Sequence, residues 1–403
     1  MSQGPFFSII IPTKNRGHII EESIQALLRQ TFTDWELILV DNDDTDATKD
    51  AFEKFDDPRL RRLKTGGFSM VDNWQHGIPH ARGSYILVQE DKTLLRQRAL
   101  EKARAVIQAH NPDFLGWRID CIIDNETPPR IAKSKTTGEV IRHDSRELIE
   151  LFVAGLCRSG YRPSPNYGCI RRELVERIMA GKAGRLCLGV DPAFSAAVQI
   201  LAGTEAVHLF DESLFVHGNN QLSTGKNFEA KTGNYHTFTK DNGGGETIYY
   251  NFVPLKLVSV VNQTFNEYCR VRSLLGEEVL PPIDMVTYFV RNYAHFWRMK
   301  DTGIDTADYV RQWNDELAKQ PEKVRQEVAT EIKKAGGAAK MGSASLGRRL
   351  RRSLGIDKAE GAIKRLFRRK SARSWPFKSP LEYVIWEDEQ EAKAAASARS
   401  SAE

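Results

Sequence analysis

The chain has 403 residues, 41% of them hydrophobic and 28% charged, which is the composition of an ordinary soluble protein with one large core plus additions. Cys121, Cys157, Cys169, Cys187 and Cys269 are odd in number, scattered and never spaced C-x-x-C, which argues against a disulfide framework or a zinc site. The net charge of +5 is uneven, because residues 346–375 hold eleven Lys or Arg against two acids, a local +9 that leaves the rest of the chain at −4; a basic segment is joined to a mildly acidic body.

The opening stretch MSQGPFFSIIIPTKNRG has no basic leader, and Pro12 breaks its apolar run. No run of 18 apolar residues occurs, so no membrane span is predicted. FSIIIP reads as a strand, and IIEESIQALLRQ as a helix with Ile20, Ile24, Leu27 and Leu28 on one face. WELILVDN then predicts a strand, TDATKDAFEKF a helix, RLRRLKT a weaker strand, SMVDNWQHGI a helix and SYILVQED a third strong strand leading into an acidic cluster and a helix start. Runs such as Ile9-Ile10-Ile11 and Leu37-Ile38-Leu39-Val40 do not alternate, so both faces of these strands are expected to be covered by helices. Right-handed crossovers then give an open, mostly parallel α/β sheet.

In such sheets ligands bind beyond the carboxyl ends of the strands. The first strand ends at Pro12-Thr13 with Lys14, Asn15 and Arg16 behind it, the second at Asp41-Asn42, and the third at Glu90-Asp91-Lys92. Polar groups from three segments are therefore predicted to converge on one edge. No G-x-G-x-x-G follows the first strand, which argues against a nicotinamide or flavin enzyme. The TKNRG loop puts Lys14 and Arg16 beside a helix N-terminus, a plausible anion site.

Further on, FLGWRIDCII and GEVIRHD read as strands, SRELIELFVAGL as a helix, and YRPSPNYGCIRRELVERI as a loop entering another helix. Asp191 stands directly before Pro192 and a helix, a strong start signal with or without catalysis. His217 ends the short strand SLFVHG, and a polar stretch over 218–246 reads as a mobile loop or lid. Residues 247–335 are helical in pattern, GGAAKMGSASLG is a linker, and the terminal AAASARSSAE is expected to be disordered. The predicted layout is an α/β domain over 1–225, a mobile loop over 226–246, a helical extension over 247–335, and a linker with a basic amphipathic tail over 336–403.

The segments SIIIPTKNRGHIIEESIQALLRQTFTDWELILVDNDDTDAT, SMVDNW and ARGSYILVQED, within residues 6 to about 100, resemble the family 2 glycosyltransferases of GT-A fold. VDPAF and FVHG match more loosely, and about the last 150 residues match nothing nameable. The resemblance implies inverting transfer of a sugar from a nucleoside diphosphate donor, most often a uridine diphosphate sugar, to a polysaccharide or lipid-linked glycan. It implies that Pro12, Thr13, Asn15 and Arg16 lie at the nucleotide, that Asp41 bonds the base, that Asn73 lies near the sugar or ribose, and that Asp191 is the acceptor's general base. It also puts Glu90 to Lys92 in the place of the D-x-D motif, which normally holds Mn²⁺ or Mg²⁺ against the leaving diphosphate.

Lys92 stands where the last Asp of that motif belongs, and a protonated lysine ligates no metal. Two readings stay open. Glu90 or Asp91, with His217, could hold the divalent ion, or the Lys92 ammonium could replace it as a point charge. The resemblance also leaves open a non-catalytic nucleotide-sugar-binding or assembly module; a nucleotidyltransferase on the same sheet lacks the Gly-rich phosphate loop it would want near residue 14. In 346–375, Leu350, Leu354, Ile363, Leu366 and Phe367 interleave with Arg and Lys, which suits an anionic membrane surface rather than nucleic acid. The expected location is cytoplasmic, peripheral on the inner face of the cell membrane.

Overall fold

The structure, a computed structural model, describes residues 4–124, 129–153, 163–218, 250–301, 303–334 and 376–400. The polar loop over 226–246 and the basic segment over 346–375 lie outside the described residues.

The chain begins β1 (Phe7–Thr13), α1 (Gly17–Leu28), β2 (Trp35–Asp41), α2 (Ala47–Phe52), β3 (Leu60–Lys64), α3 (Met70–Gly77) and β4 (Tyr85–Val88). Strands β3, β2, β1 and β4 lie side by side in that order, all parallel, with Ile9 opposite Leu37 and Leu87. The predicted alternation of strand and helix therefore forms, and its non-alternating apolar runs are covered twice. Ile9, Ile11, Leu37, Leu39 and Leu87 pack with Ile20, Ile24 and Leu27 of α1, while Ile10, Ile38, Val40, Ile86 and Val88 pack with Val71 and Trp74 of α3 on the other face. Fully burying side chains of this size contributes about 1.5–3 kcal/mol each.

The second half of the sheet is mixed. β5 (Thr93–Leu95), α4 (Ala99–His110), β6 (Phe114–Ile123), β7 (Arg130–Ala132), β8 (Val140–Asp144), α5 (Ser145–Val153), β9 (Gly168–Arg171), α6 (Arg172–Ala180), α7 (Pro192–Gly203) and β10 (Ala206–His217) follow. β9 is antiparallel to both β4 and β6, β6 is parallel to β10, and β5 closes the edge antiparallel to β10. Two expectations are corrected here. The acidic cluster at 90–92 enters β5, not a helix, because Thr93 to Leu95 find a partner in Phe215 to His217; α4 begins only at Ala99. The segment read as a loop before α6 contains β9, four residues held by strands on both sides.

Beyond the sheet lie α8 (Val260–Leu275), α9 (Met285–Asp301), α10 (Ala307–Ala318) and α11 (Glu322–Lys334). They share an aromatic core of Phe265, Tyr288, Phe289, Phe296 and Trp313, which also takes in Val190. The last helix, α12 (Pro380–Ser400), returns to the sheet. Leu381, Tyr383 and Val384 join Ala26, Leu94, Ile122 and Val216 in a small core. Around it Arg96 pairs with Glu387 and, at 2.6 Å, with Asp120, and Lys133 also pairs with Glu387. The expected tail is thus corrected over 380–400: Leu381, Tyr383 and Val384 are docked while Trp386 stays exposed, and the Ala-rich end, expected to be disordered, continues the helix to Ser400. Among the described residues no helix is long and apolar enough to cross a membrane.

Candidate active site

The chain runs from β1 outward to β2 and β3, then back across to β4. Strand order therefore reverses between β1 and β4, where an open parallel sheet has its crevice. Thr13 ends β1 on one side of this switch and Glu90-Asp91-Lys92 follow β4 on the other.

Asp91 ties the two together. Its carboxylate accepts from Thr13 Oγ1 at 2.9 Å and Arg16 Nη1 at 3.0 Å, and its backbone carbonyl accepts from Ser23 Oγ at 2.6 Å. It is buried, and its two carboxylate oxygens face donors from the end of β1 and from the loop that follows it. Pro12 lies within the strand, level with Val40. Asn15 has φ 55, the left-handed region that Asn tolerates better than most residues. Its backbone N–H donates to Asp43, its amide to Asp44 Oδ2 at 2.8 Å, and its side-chain oxygen accepts from the Asp44 N–H at 2.9 Å. Gly17 completes this junction, since a Cβ there would collide with the Ala47 carbonyl.

At the end of β2, Asp41 is buried and accepts from Arg62 Nη1 at 2.6 Å, with Lys64 Nζ at 3.6 Å from its other oxygen. Asn42 holds the loop after β3, donating to the Phe68 carbonyl and accepting from the Phe68 N–H. Asn73 turns inward: its amide donates to the Thr13 and Val40 carbonyls at 3.3 Å each, and its oxygen accepts from Thr65 Oγ1. In this structure Asn73 braces the ends of β1 and β2, and every one of these partners is internal.

Glu90 and Lys92 form a half-buried pair, Nζ to Oε2 3.4 Å, in which the ammonium is the more enclosed partner. Asn166 Nδ2 donates to the other Glu90 oxygen at 2.7 Å. Burial pushes the Glu90 carboxyl up, but His217, Lys92 and the Asn166 amide together hold it below the ordinary carboxylate range. His217 is turned to Thr93, with Nδ1 3.1 Å from Thr93 Oγ1.

These positions test the expected metal set. Glu90 is paired with Lys92 and Asn166, Asp91 with Thr13 and Arg16, and His217 lies against Thr93. Among the described residues no three His, Cys, Asp or Glu side chains gather where they could hold a metal ion. A divalent ion wants several oxygen ligands at once, and Glu90, Asp91 and His217 as arranged do not fit one.

Asp191 is the N-cap of α7, with Oδ1 accepting from the Ala193 and Phe194 amides at 3.0 and 3.1 Å. Ser195 Oγ bonds both the N–H and the carbonyl of Leu188, fastening the preceding turn to the helix. α7 packs against the short helix Pro165–Tyr167 that delivers Asn166 to Glu90. Arg62, Lys64, Asp43 and Asn166 were not singled out from sequence. Of these, only Asp43 lies in an acid-rich run, VDNDDTD, beside a strand end singled out there.

The profile of the family described as Glycosyl transferase family 2 matches residues 8–166. Among curated relatives, the putative glycosyltransferase EpsE of Bacillus subtilis is 33% identical over 115 residues, covering 27% of this chain and 41% of its own length. The poly(ribitol-phosphate) beta-N-acetylglucosaminyltransferase TarS of Staphylococcus aureus is 27% identical over 158 residues, covering 38% and 27%. A PGL/p-HBAD biosynthesis glycosyltransferase of Mycobacterium tuberculosis is 33% identical over 115 residues, covering 28% and 45%. The chain thus spans less than half the length of these relatives. Among solved structures, S. aureus TarS 1–349 in complex with UDP-GlcNAc aligns over 87% of this chain and 92% of that one, at 14% identity and TM-score 0.49.

Proposed function

We propose, from the match of residues 8–166 to the family described as Glycosyl transferase family 2, that the chain transfers a sugar from a nucleoside diphosphate donor, with uridine as the base, to a polysaccharide or lipid-linked glycan, with inversion. The observation that carries this reading is the meeting of the β1, β2 and β4 ends at the switch in strand order, joined by Asp91 to Thr13 and Arg16. We take residues 1–225 as the transferase unit and the helices after residue 247 as the part that shapes the acceptor site.

In a single displacement the acceptor oxygen attacks the anomeric carbon, the bond from that carbon to the diphosphate oxygen breaks, and the acceptor proton passes to a carboxylate. We assign that carboxylate to Asp191, whose Oδ1 is occupied as a cap, so that Oδ2 takes the proton. The diphosphate leaves with increasing negative charge, and preorganised positive charge there lowers the barrier. We assign that role to Lys92, held 3.4 Å from Glu90; a lysine acts on phosphate as a point charge. Asp41, with Arg62 and Lys64 behind it, is the group we place at the base. Thr13, Asn15 and Arg16 shape the loop beneath the nucleotide, and Asn73 supports it from within. The basic segment over 346–375 would bring a lipid-linked acceptor near by holding the protein on an anionic bilayer.

A non-catalytic nucleotide-sugar-binding module is the second reading, favoured by Lys92 in the place of a metal-binding Asp. One experiment separates them. Thermal melting of the full chain is followed with UDP, GDP, CDP and the corresponding sugars, each with Mn²⁺ or EDTA, for wild type and Lys92→Ala, and release of the diphosphate is assayed alongside. We expect one nucleotide to stabilise by about 2.7 kcal/mol at 100 times its dissociation constant, indifferently to EDTA, with the effect lost in Lys92→Ala. A shift that needs metal and survives Lys92→Ala would restore the metal reading. Binding without turnover would favour the non-catalytic module, and no shift with any nucleotide would sink both.

A further inference from the structure

Asp191 is approached by the helical extension as well as by its own helix. Gln263 and Glu267 are four residues apart on α8, hence on the same face, and that face packs on α7 and the turn leading into it. Gln263 is buried, with Nε2 3.4 Å from Asp191 Oδ2, the oxygen not used by the Ala193 and Phe194 amides.

One turn further on, Glu267 is fully buried under the residues that carry Asp191. Its Oε1 accepts from the Val190 N–H at 3.4 Å and the Asn266 amide at 3.2 Å, and its Oε2 from Arg270 Nε at 3.1 Å. Gly189 has φ +69, and a Cβ there would collide with the Glu267 carboxylate, so turn and carboxylate are fitted to each other. Burial lifts the Glu267 carboxyl to about 7; Arg270 opposes the rise and Asp191 adds to it.

We infer that Gln263 and Glu267 are positioning residues for Asp191, through which the helical extension aims the carboxylate oxygen that receives the acceptor's proton. The inference rests on the reading of Asp191 as general base. The helix cap fixes Oδ1 but not the plane of the carboxylate; an amide on Oδ2 fixes the plane. Glu267 then holds the Val190 peptide immediately before Asp191. A misplacement of about 1 Å at such a group costs on the order of 10²-fold in rate.

The test measures diphosphate release by the full chain from a panel of UDP-, GDP- and CDP-sugars, from acid to alkaline pH. The variants are Asp191→Asn, Gln263→Met, Gln263→Glu and Glu267→Gln, and their melting temperatures are recorded. Gln263→Met keeps the volume and removes the donor. It is expected to lower turnover about tenfold with donor KM unchanged, and to move the acid limb of the profile upward by roughly half a unit, since a carboxylate that loses a donor binds its proton more tightly. Gln263→Glu, with a like charge opposite Oδ2, moves that limb further in the same direction. Glu267→Gln keeps the shape and removes any inflection near pH 7.

A role confined to packing would lower melting temperatures and leave the limbs where they are, which would overturn the inference. Retained release in Asp191→Asn overturns the base assignment instead, a distinguishable result. A substrate-free readout uses the full chain labelled with ¹⁵N-valine: the Val190 amide follows the ionisation of Glu267, and its midpoint is expected to fall in Asp191→Asn. An unmoved midpoint would also overturn the inference.

Discussion

Asp91 stands after β4 and Asp191 before α7, and the two regions hold their acids in different ways. Around Asp91 the donors are side chains from another segment, Thr13 and Arg16, and the acid's work is to join two loops. Around Asp191 the donors to Oδ1 are the amides of its own helix, and Oδ2 faces the amide of Gln263. A buried, cross-linked carboxylate is a structural part; a carboxylate on a helix N-terminus, aimed by a neighbouring layer, is suited to proton transfer. The sequence motif points to the first region, yet the second has the arrangement expected of a base.

This contrast can be broken by experiment. The largest effect is expected from Asp191→Asn, which should cut transfer or donor hydrolysis by about 10²- to 10⁴-fold while leaving the melting temperature nearly unchanged, because Asn caps a helix about as well as Asp. Asp91→Ala should do the reverse in kind, lowering stability in urea unfolding by about 3–5 kcal/mol by stranding Arg16 and Thr13. Equal stability of the two variants would erase the distinction.

Glu267 sharpens it through pH. Its folded-state value of about 7, raised first by burial, lies above the ordinary glutamate value of 4.5. The folded form therefore binds more protons between those values, and its stability falls as pH rises from about 4.5 through about 7. Above that window the ionised carboxylate costs up to roughly 3 kcal/mol. Glu267→Gln should thus match wild type near pH 4.5 in urea titrations and gain on it progressively up to pH 8; a constant difference would contradict the assignment.

The smallest effect is expected at the far end of the chain. Leu381→Ala, in the core that docks α12 against Ala26, Leu94 and Val216, should cost about 2–3 kcal/mol and expose residues 380–400 to protease while nucleotide binding persists. A free tail would show no cost at all.

Much of the first hundred residues was legible in the chain itself. Strands and helices of the first hundred residues alternate with clear apolar runs, each element's period is set by its own residues, and the parallel order follows from the right-handed crossover. The strand ends, and hence Thr13, Arg16, Asp41 and the 90–92 triplet, could be picked out because position at a strand's carboxyl end is a local property. Long-range pairing was not legible. β5 and β9 are three and four residues long; β5 exists only because β10 lies beside it, and β9 because β4 and β6 lie on either side. Asp91 could be read as a metal ligand until its partners, 75 and 78 residues away, were seen to occupy it. Gln263 and Glu267 sit in a helical stretch without a motif, and only the packing of α8 on α7 brings them to Asp191. Local periodicity determines which elements form; which charges meet depends on how those elements stack, and that information is spread over residues far apart in the chain.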